Sequence, residues 1–194
     1  MDFLEKNLEE IIFFASQSED GRKKLSERGL DINGRMFRQV DLGSYGRIDL
    51  LSVELCRSKH SGLWILYLEV YELKRNIINT SALIQGCRYL TGIKELIRYL
   101  RGKFKDFDDK IFLETSLILI GDSFDSQSDF SFLYNELHDN IQVYTFKYDL
   151  DGITFEYVDK LWIQTEPKFN EDIVEAFSKP SKSMLRSLMN IEHF

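Results

Sequence analysis

The sequence predicts an α/β fold in which a mixed β-sheet is flanked by helices. Several short runs alternate apolar and polar residues with period two, which is typical of strands. Between Ser81 and Arg101 the apolar spacing changes to three and four, which is typical of an amphipathic helix. Hydrophobic residues make up 43% and charged residues 29% of the 194 residues, the balance of an ordinary globular domain. The predicted order is helix, three strands, helix, strand, helix, strands.

The first half of the chain contains one helix and three strands in this prediction. Residues 3–16 place apolar side chains on one helical face, and a polar stretch follows up to residue 28. Strands are predicted over residues 36–40, 47–55 and 64–74. A turn rich in Gly and Asp separates the first two, and a polar connection of hairpin type separates the second and third.

The second half begins with the long helix, for which Thr80 or Ser81 is the expected N-cap. A continuous apolar run at 112–120 predicts a buried strand, and residues 129–140 predict a helix. A hairpin is expected from 141–148 and 153–158, across Asp151-Gly152. We therefore predict one domain over residues 1–160 and a helical C-terminal tail over 161–194.

Charge is distributed unevenly along the chain. The formal net charge is -7, but the residues up to 105 are basic on balance, whereas those after 105 carry a large excess of acidic residues. Such asymmetry is typical of a charged partner or of an acidic regulatory surface, and the acidic half is a candidate surface for a protein partner or for self-inhibition. The two cysteines cannot build a disulfide framework, and neither a secretory signal nor a membrane-length apolar run is found. A cytoplasmic protein without a membrane segment is expected.

Three ionisable residues lie on apolar faces of two neighbouring predicted strands. Glu72 and Lys74 follow four apolar residues on one face of the third strand, and Asp49 shares a face with Leu51 and Val53 on the second. Burying such charges is costly unless each one has a partner. Pairing the two strands brings Asp49 and Glu72 within reach of one ion, and two carboxylates suit Mg²⁺ or Mn²⁺. A lysine beside them can offset charge that develops on a phosphate.

These residues resemble the PD-(D/E)xK nuclease superfamily, in which an Asp is followed on the next strand by Glu-x-Lys. The similarity is greatest to the catalytic domains of NucS-type and RecB-type nucleases and covers about residues 3–101. The resembling segments are Leu4 to Glu9, Arg38 to Val40, Gly46 to Leu51, Glu72 to Arg75, and Gln85 with Tyr89. The proline that names the superfamily is absent, because Ile48 precedes Asp49. The resemblance implies a restriction-endonuclease-like fold.

The resemblance also implies an activity and a set of site residues. The protein would be a Mg²⁺- or Mn²⁺-dependent deoxyribonuclease, of the endonuclease type, with DNA as its partner. Asp49 and Glu72 would bind the metal, Lys74 would be the catalytic lysine, and Gln85 would orient the site. Glu5 matches an additional acidic position, for which Glu9 is its rival.

Other interpretations stay open at this point. Arg75, Arg88 and Tyr89 are candidate contacts to nucleic acid, although a tyrosine at helical spacing more often packs within the protein, and basic residues often form a solvated face. Glu-x-Lys alone also occurs as an exposed ion pair. The alternative function is a degenerate nuclease-fold module, from a mobile element or a defence system, that binds nucleic acid or protein without cutting. A homodimer is a further option.

Overall fold

The computed structural model describes residues 5–103, 111–126 and 129–159. The chain divides into two compact units, Met1–Trp162 and Ile163–Phe194. The predicted C-terminal tail over 161–194 lies outside the described residues. Among the described residues, no helix is both long enough and apolar enough to cross a membrane.

Four helices and eight strands make up the described part of the chain. The helices are α1 Glu5–Ser16, α2 Glu19–Glu27, α3 Thr80–Lys103 and α4 Asp129–Leu137. The strands are β1 Arg35–Asp41, β2 Arg47–Arg57, β3 Trp64–Leu73, β4 Ile77–Ile78, β5 Ile111–Gly121, β6 Ser123–Phe124, β7 Ile141–Asp149 and β8 Gly152–Tyr157. Short 3₁₀ turns occupy Gly43–Tyr45 and His138–Asn140.

Six strands form one mixed sheet in the order β1-β2-β3-β5-β7-β8. The strands β1, β2 and β3 are antiparallel, β3, β5 and β7 are parallel, and β8 returns antiparallel to β7. Parallel neighbours need a crossover, and α3 and α4 supply the two crossovers. The predicted α/β fold, a mixed sheet flanked by helices, is thus confirmed. The two-residue strands β4 and β6, which pair with each other, are too short to give a periodic pattern.

Each face of the sheet has its own hydrophobic core. The helices α1 and α2 cover one face with a core that includes Leu8, Ile12, Leu50, Tyr71 and Ile118. The helices α3 and α4 cover the other face with a core that includes Leu51, Val70, Ile93, Leu117 and Phe130. Because side chains alternate between faces, Glu72 points to the α3 face, as Val70 does.

The long helix α3 lies across β5 and runs antiparallel to it. Near its start, a Cβ on Gly86 would lie 2.4 Å from Leu117, and near its end Arg101 donates a hydrogen bond to the carbonyl of Ile111. The N-cap prediction of Thr80 or Ser81 is wrong. The side-chain oxygen of Asn79 accepts hydrogen bonds from two backbone N–H groups of the first turn, at 3.0 and 3.2 Å.

Candidate functional site

The register of β2 and β3 brings Asp49 and Glu72 together. Leu50 pairs with Tyr71, so the next position along this antiparallel ladder sets Asp49 opposite Glu72. The Oδ2 atom of Asp49 accepts a hydrogen bond from the backbone N–H of Leu73, at 2.9 Å. The last residues of β3 therefore hold the Asp49 side chain at the end of the sheet.

Glu72 is a buried carboxylate with one satisfied oxygen. Only 1% of the residue is exposed. Its Oε1 atom accepts a hydrogen bond from the ammonium of Lys74, which is itself partly exposed. Its Oε2 atom is buried and has no hydrogen-bond partner among the described residues. An ionised oxygen without a partner in this position is costly.

Both carboxyl groups are harder to ionise than usual. Burial raises the pKa of Asp49 to about 6, although the N–H of Leu73 and the charge of Lys74 oppose this effect. Burial, followed by the charge of Asp49, raises the pKa of Glu72 to about 7, and Lys74 opposes it. Burial disfavours the charge on Lys74, but its hydrogen bond and ion pair with Glu72 outweigh burial and raise its pKa above 10.5.

Glu5 and Glu9, one turn apart on α1, have different surroundings. Glu5 is exposed, accepts a hydrogen bond from the backbone N–H of Arg75 at 3.3 Å, and has a charge that raises the pKa of both Asp49 and Glu72. Glu9 is 7% exposed and is held by Arg38. Glu5 is therefore the acidic residue of α1 whose carboxylate is available beside the pair.

Sequence reasoning gave no role to the two side chains that hold Glu9. Arg38 donates to Oε1 of Glu9 at 2.9 Å, and Gln39 donates to Oε2 at 2.7 Å. Gln39 has a φ of 52°, the left-handed region that non-glycine residues rarely adopt. Gln39 also precedes Val40, which pairs with Ile48, and so lies beside Asp49. No sequence pattern indicates this network, because it depends on a backbone conformation that Gln does not favour.

The predicted residues of α3 form a second group. The amide of Gln85 donates to the hydroxyl of Tyr89 at 2.6 Å. Tyr89 is 2% exposed and belongs to the core, so it presents almost no surface to nucleic acid and packs as the alternative interpretation expected. Its ring lies against the turn that leads into β2, since a Cβ on Gly46 would be 3.0 Å from it. Arg88 is exposed and lies over the Tyr89 ring, with its Cζ 5.8 Å from the centroid.

The donor atoms of the site fit a hard divalent cation in part. The donors are the carboxylates of Asp49 and Glu72, and one oxygen of Glu72 has no hydrogen-bond partner. Mg²⁺ and Mn²⁺ prefer such oxygen ligands and commonly complete their coordination with water or substrate. Within the described residues, no three or more His, Cys, Asp or Glu side chains converge as a ready metal cluster. The arrangement thus provides two protein carboxylates, with Glu5 at the rim.

Comparison with known proteins gives one structural similarity. A repair endonuclease from Pyrococcus abyssi is similar over 74% of this chain and 46% of its own, with 17% sequence identity and a TM-score of 0.39. The similar part of this chain thus spans about half of that structure. No family model matches the sequence, and a search of curated proteins finds no match.

Proposed function

We propose that this protein is a nuclease that hydrolyses DNA phosphodiester bonds with a bound Mg²⁺ or Mn²⁺ ion. One observation carries the proposal: a buried glutamate with an unsatisfied oxygen faces an aspartate across two strands and is paired with a lysine two residues further on. A structural ion pair needs one carboxylate and one ammonium. The second carboxylate adds a repulsion that only a further cation or a proton relieves.

Each residue of the group has a distinct task in this proposal. Asp49 and Glu72 would hold the cation, which when bound polarises a phosphate oxygen and favours the ionisation of water. The N–H of Leu73 orients the Asp49 carboxylate through its hydrogen bond. The Lys74 ammonium, fixed by Glu72, would position the attacking water and stabilise the negative charge that develops on the phosphate. Glu5 would accept a hydrogen bond from that water at the rim.

Two exposed arginines support a polyanionic substrate. Arg75 directly follows Lys74, and its backbone is bound to Glu5 at the site. Arg88 stands on α3 above the turn that leads to Asp49. Phosphate binding requires only a local positive field, so the net charge of -7 does not oppose it. Gln85 would act through Tyr89 on the position of that turn.

A nuclease-fold module that binds without cutting is the second candidate. It is favoured by the lack, within the described residues, of a cluster of three metal-ligating side chains. It predicts that DNA binding does not depend on Mg²⁺ or Mn²⁺.

The deciding experiment is a cleavage assay with Mg²⁺ or Mn²⁺ on linear, circular, single-stranded and branched DNA. We compare the parent with Lys74→Met and with the control Lys6→Met, whose lysine side chain is 72% exposed on α1. We expect cutting by the parent and the control, and a loss of at least about a hundredfold for Lys74→Met. Equal cutting by Lys74→Met would refute the role of this lysine. Binding of DNA without metal and without cutting would favour the second candidate.

A further inference from the structure

The α3 face of the sheet has an uncovered apolar groove over β1, β2 and the start of β3. The core of this face includes Leu51 and Leu68, and Val53 and Leu66 pack against it. Leu55 and Trp64 each lie two residues further along the same strands, so their side chains point to the same side. Phe37 pairs with Leu51 and also lies on this side. The exposed fractions are 38% for Phe37, 52% for Leu55 and 46% for Trp64.

One flank of α3 forms the wall of this groove. A Cβ on Gly92 would lie 2.8 Å from Tyr45, in the turn between β1 and β2, so this flank faces β1 and β2. Leu96 and Tyr99 continue the same flank by one and two turns. They are 40% and 59% exposed, at the level where α3 reaches the start of β5. The groove therefore has a helical wall, a sheet floor and a large apolar surface.

The charges on the sheet floor of the groove are positive, and Glu95 on the α3 wall is paired with Arg98. Arg35 pairs with Val53 on the groove side and lies 4.9 Å from the centre of the Phe37 ring. Arg57 pairs with Trp64 and is exposed. Asp49 and Glu72 lie on the same face but beyond the row that Phe37 forms with Leu51 and Val70. From that row to the row of Arg57 and Trp64, β1, β2 and β3 present no acidic side chain on this side. An occupant should thus combine an apolar face with acidic residues.

The helix α4 has this combination. Phe132, Leu133 and Leu137 are 56%, 39% and 44% exposed on this helix of nine residues. Asp129 and Glu136 are exposed on the same helix, which contains no lysine or arginine. The groove and α4 are therefore complementary in charge and in polarity.

The groove and α4 lie on opposite sides of α3, on one face of the sheet. The groove covers β1 to β3, and α3 lies on β5 at Leu117. The helix α4 lies beside β7, because Tyr134 of α4 donates a hydrogen bond to the carbonyl of Val158 at 2.8 Å. The N–H of Val158 in turn donates to the carbonyl of Val143 in β7. The groove lies level with residues 111–117 of β5, and α4 lies near Leu119, so the two are offset both across and along α3. A two-fold axis in the plane of this face, perpendicular to the line that joins the groove and α4, places each of them over the other in a facing copy. We infer that the occupant is a second copy of this chain, with α4 of each copy in the groove of the other.

This assignment explains both exposed surfaces with one contact made twice. An isologous interface requires a surface that is complementary to itself, and here a basic apolar groove meets an acidic apolar helix on each side. The aromatic side chains at its centre are the type that contributes most to interface stability. The dimer depends on neither metal nor DNA, so its failure and the failure of the nuclease proposal are separate results.

The test is sedimentation velocity of the full chain, without metal, over a wide range of concentration. We compare Tyr99→Asp in the groove and Phe132→Asp on α4 with the control Phe14→Asp, whose phenylalanine is 63% exposed on α1. The parent and the control should form dimers. Each test variant should raise the dissociation constant at least about tenfold. Arg57→Glu, a surface change, should weaken the dimer even if a test variant fails to fold.

Mixing the two test variants gives the sharpest outcome. A pair made of Tyr99→Asp and Phe132→Asp retains one intact contact, because the first copy supplies a native α4 and the second a native groove. The mixture should therefore dimerise more tightly than either variant alone. A parent that stays monomeric, a dimer that neither substitution weakens, or a mixture that behaves like its components would each overturn the assignment.

Discussion

Replacing Asp49 by Asn should stabilise the metal-free protein. The pKa of Asp49 lies at about 6, above the ordinary value of 3.8, because the carboxyl group is buried near Glu5 and Glu9. A tenfold change in proton affinity corresponds to about 1.4 kcal/mol, so keeping Asp49 ionised in the fold costs about 3 kcal/mol. Asn removes the charge and keeps an oxygen that can accept the N–H of Leu73. We expect a gain of roughly 1–3 kcal/mol in unfolding free energy at pH 8.

The sign of this effect depends on pH. The pKa of Asp49 is higher in the folded state than in the unfolded state. The stability that this group contributes is therefore fully present below about pH 4 and is lost as pH rises through about 6. The unfolding free energy of the parent therefore falls over this pH range. The Asp49→Asn variant lacks the titrating carboxyl group, so its unfolding free energy does not include this contribution to the fall. Glu72, with a pKa of about 7, extends the loss of stability in both proteins towards neutral pH. The difference between the two proteins should be small near pH 4 and complete above about pH 7.

Urea unfolding with EDTA at pH 4 and pH 8 measures this difference. The control is Asp151→Asn, the same chemical change in an exposed hairpin turn that suits both residues. Adding Mn²⁺ at pH 8 should reverse the order, because the parent gains stability from binding and Asp49→Asn lacks a ligand. An Asp49→Asn protein that is less stable than the parent at pH 8 in EDTA, or that gains equally from Mn²⁺, would refute the reasoning.

Two further predictions concern packing and the buried ion pair. Gly86→Ala should lower the unfolding free energy by about 1–3 kcal/mol although Ala favours helices, because its Cβ would lie 2.4 Å from Leu117. The control Gly102→Ala, whose Cβ would have nothing within 4 Å, should be neutral or stabilising. Urea unfolding of both variants measures the difference. Glu9→Ala should destabilise by about 3 kcal/mol and leave Arg38 without its buried partner, whereas Glu9→Gln should lose less. Equal losses for these two variants would show that charge is not the cause.

The sheet and the carboxylate pair follow from patterns that the sequence contains. Successive side chains of a strand point to opposite faces, so Glu72 and Lys74 could be placed on the face of Leu68 and Val70 without knowing the neighbouring strand. The meeting of Asp49 and Glu72 needed only the assumption that the second and third strands pair as a hairpin. The register that sets them opposite each other, with Leu50 at Tyr71, fulfils this assumption. Their roles in metal binding stay predictions.

Features that depend on backbone conformation were not predictable. Asn79, Thr80 and Ser81 are three successive residues that can cap a helix, and the residue that does so is decided by where the chain leaves β4. The left-handed φ of Gln39 has no signal in the sequence, since asparagine or glycine would be expected there. The burial of Tyr89 depends on how the turn before β2 folds against α3, a long-range contact that helical spacing alone does not indicate.

Under the proposed function, the formal charges at the site predict that a single divalent cation binds. Asp49, Glu72 and Glu5 contribute three negative charges, and Lys74 contributes one positive charge, which leaves a deficit of two positive charges. Burial, followed by the charges of the neighbouring carboxylates, raises the pKa of Asp49 and Glu72, so without a cation protons fill part of this deficit. One Mg²⁺ or Mn²⁺ ion balances the group, whereas a second ion would bring excess positive charge unless a phosphate accompanied it. Cation binding in the absence of DNA should therefore saturate at one ion per chain and release protons near pH 7, because binding requires both carboxylates to be ionised.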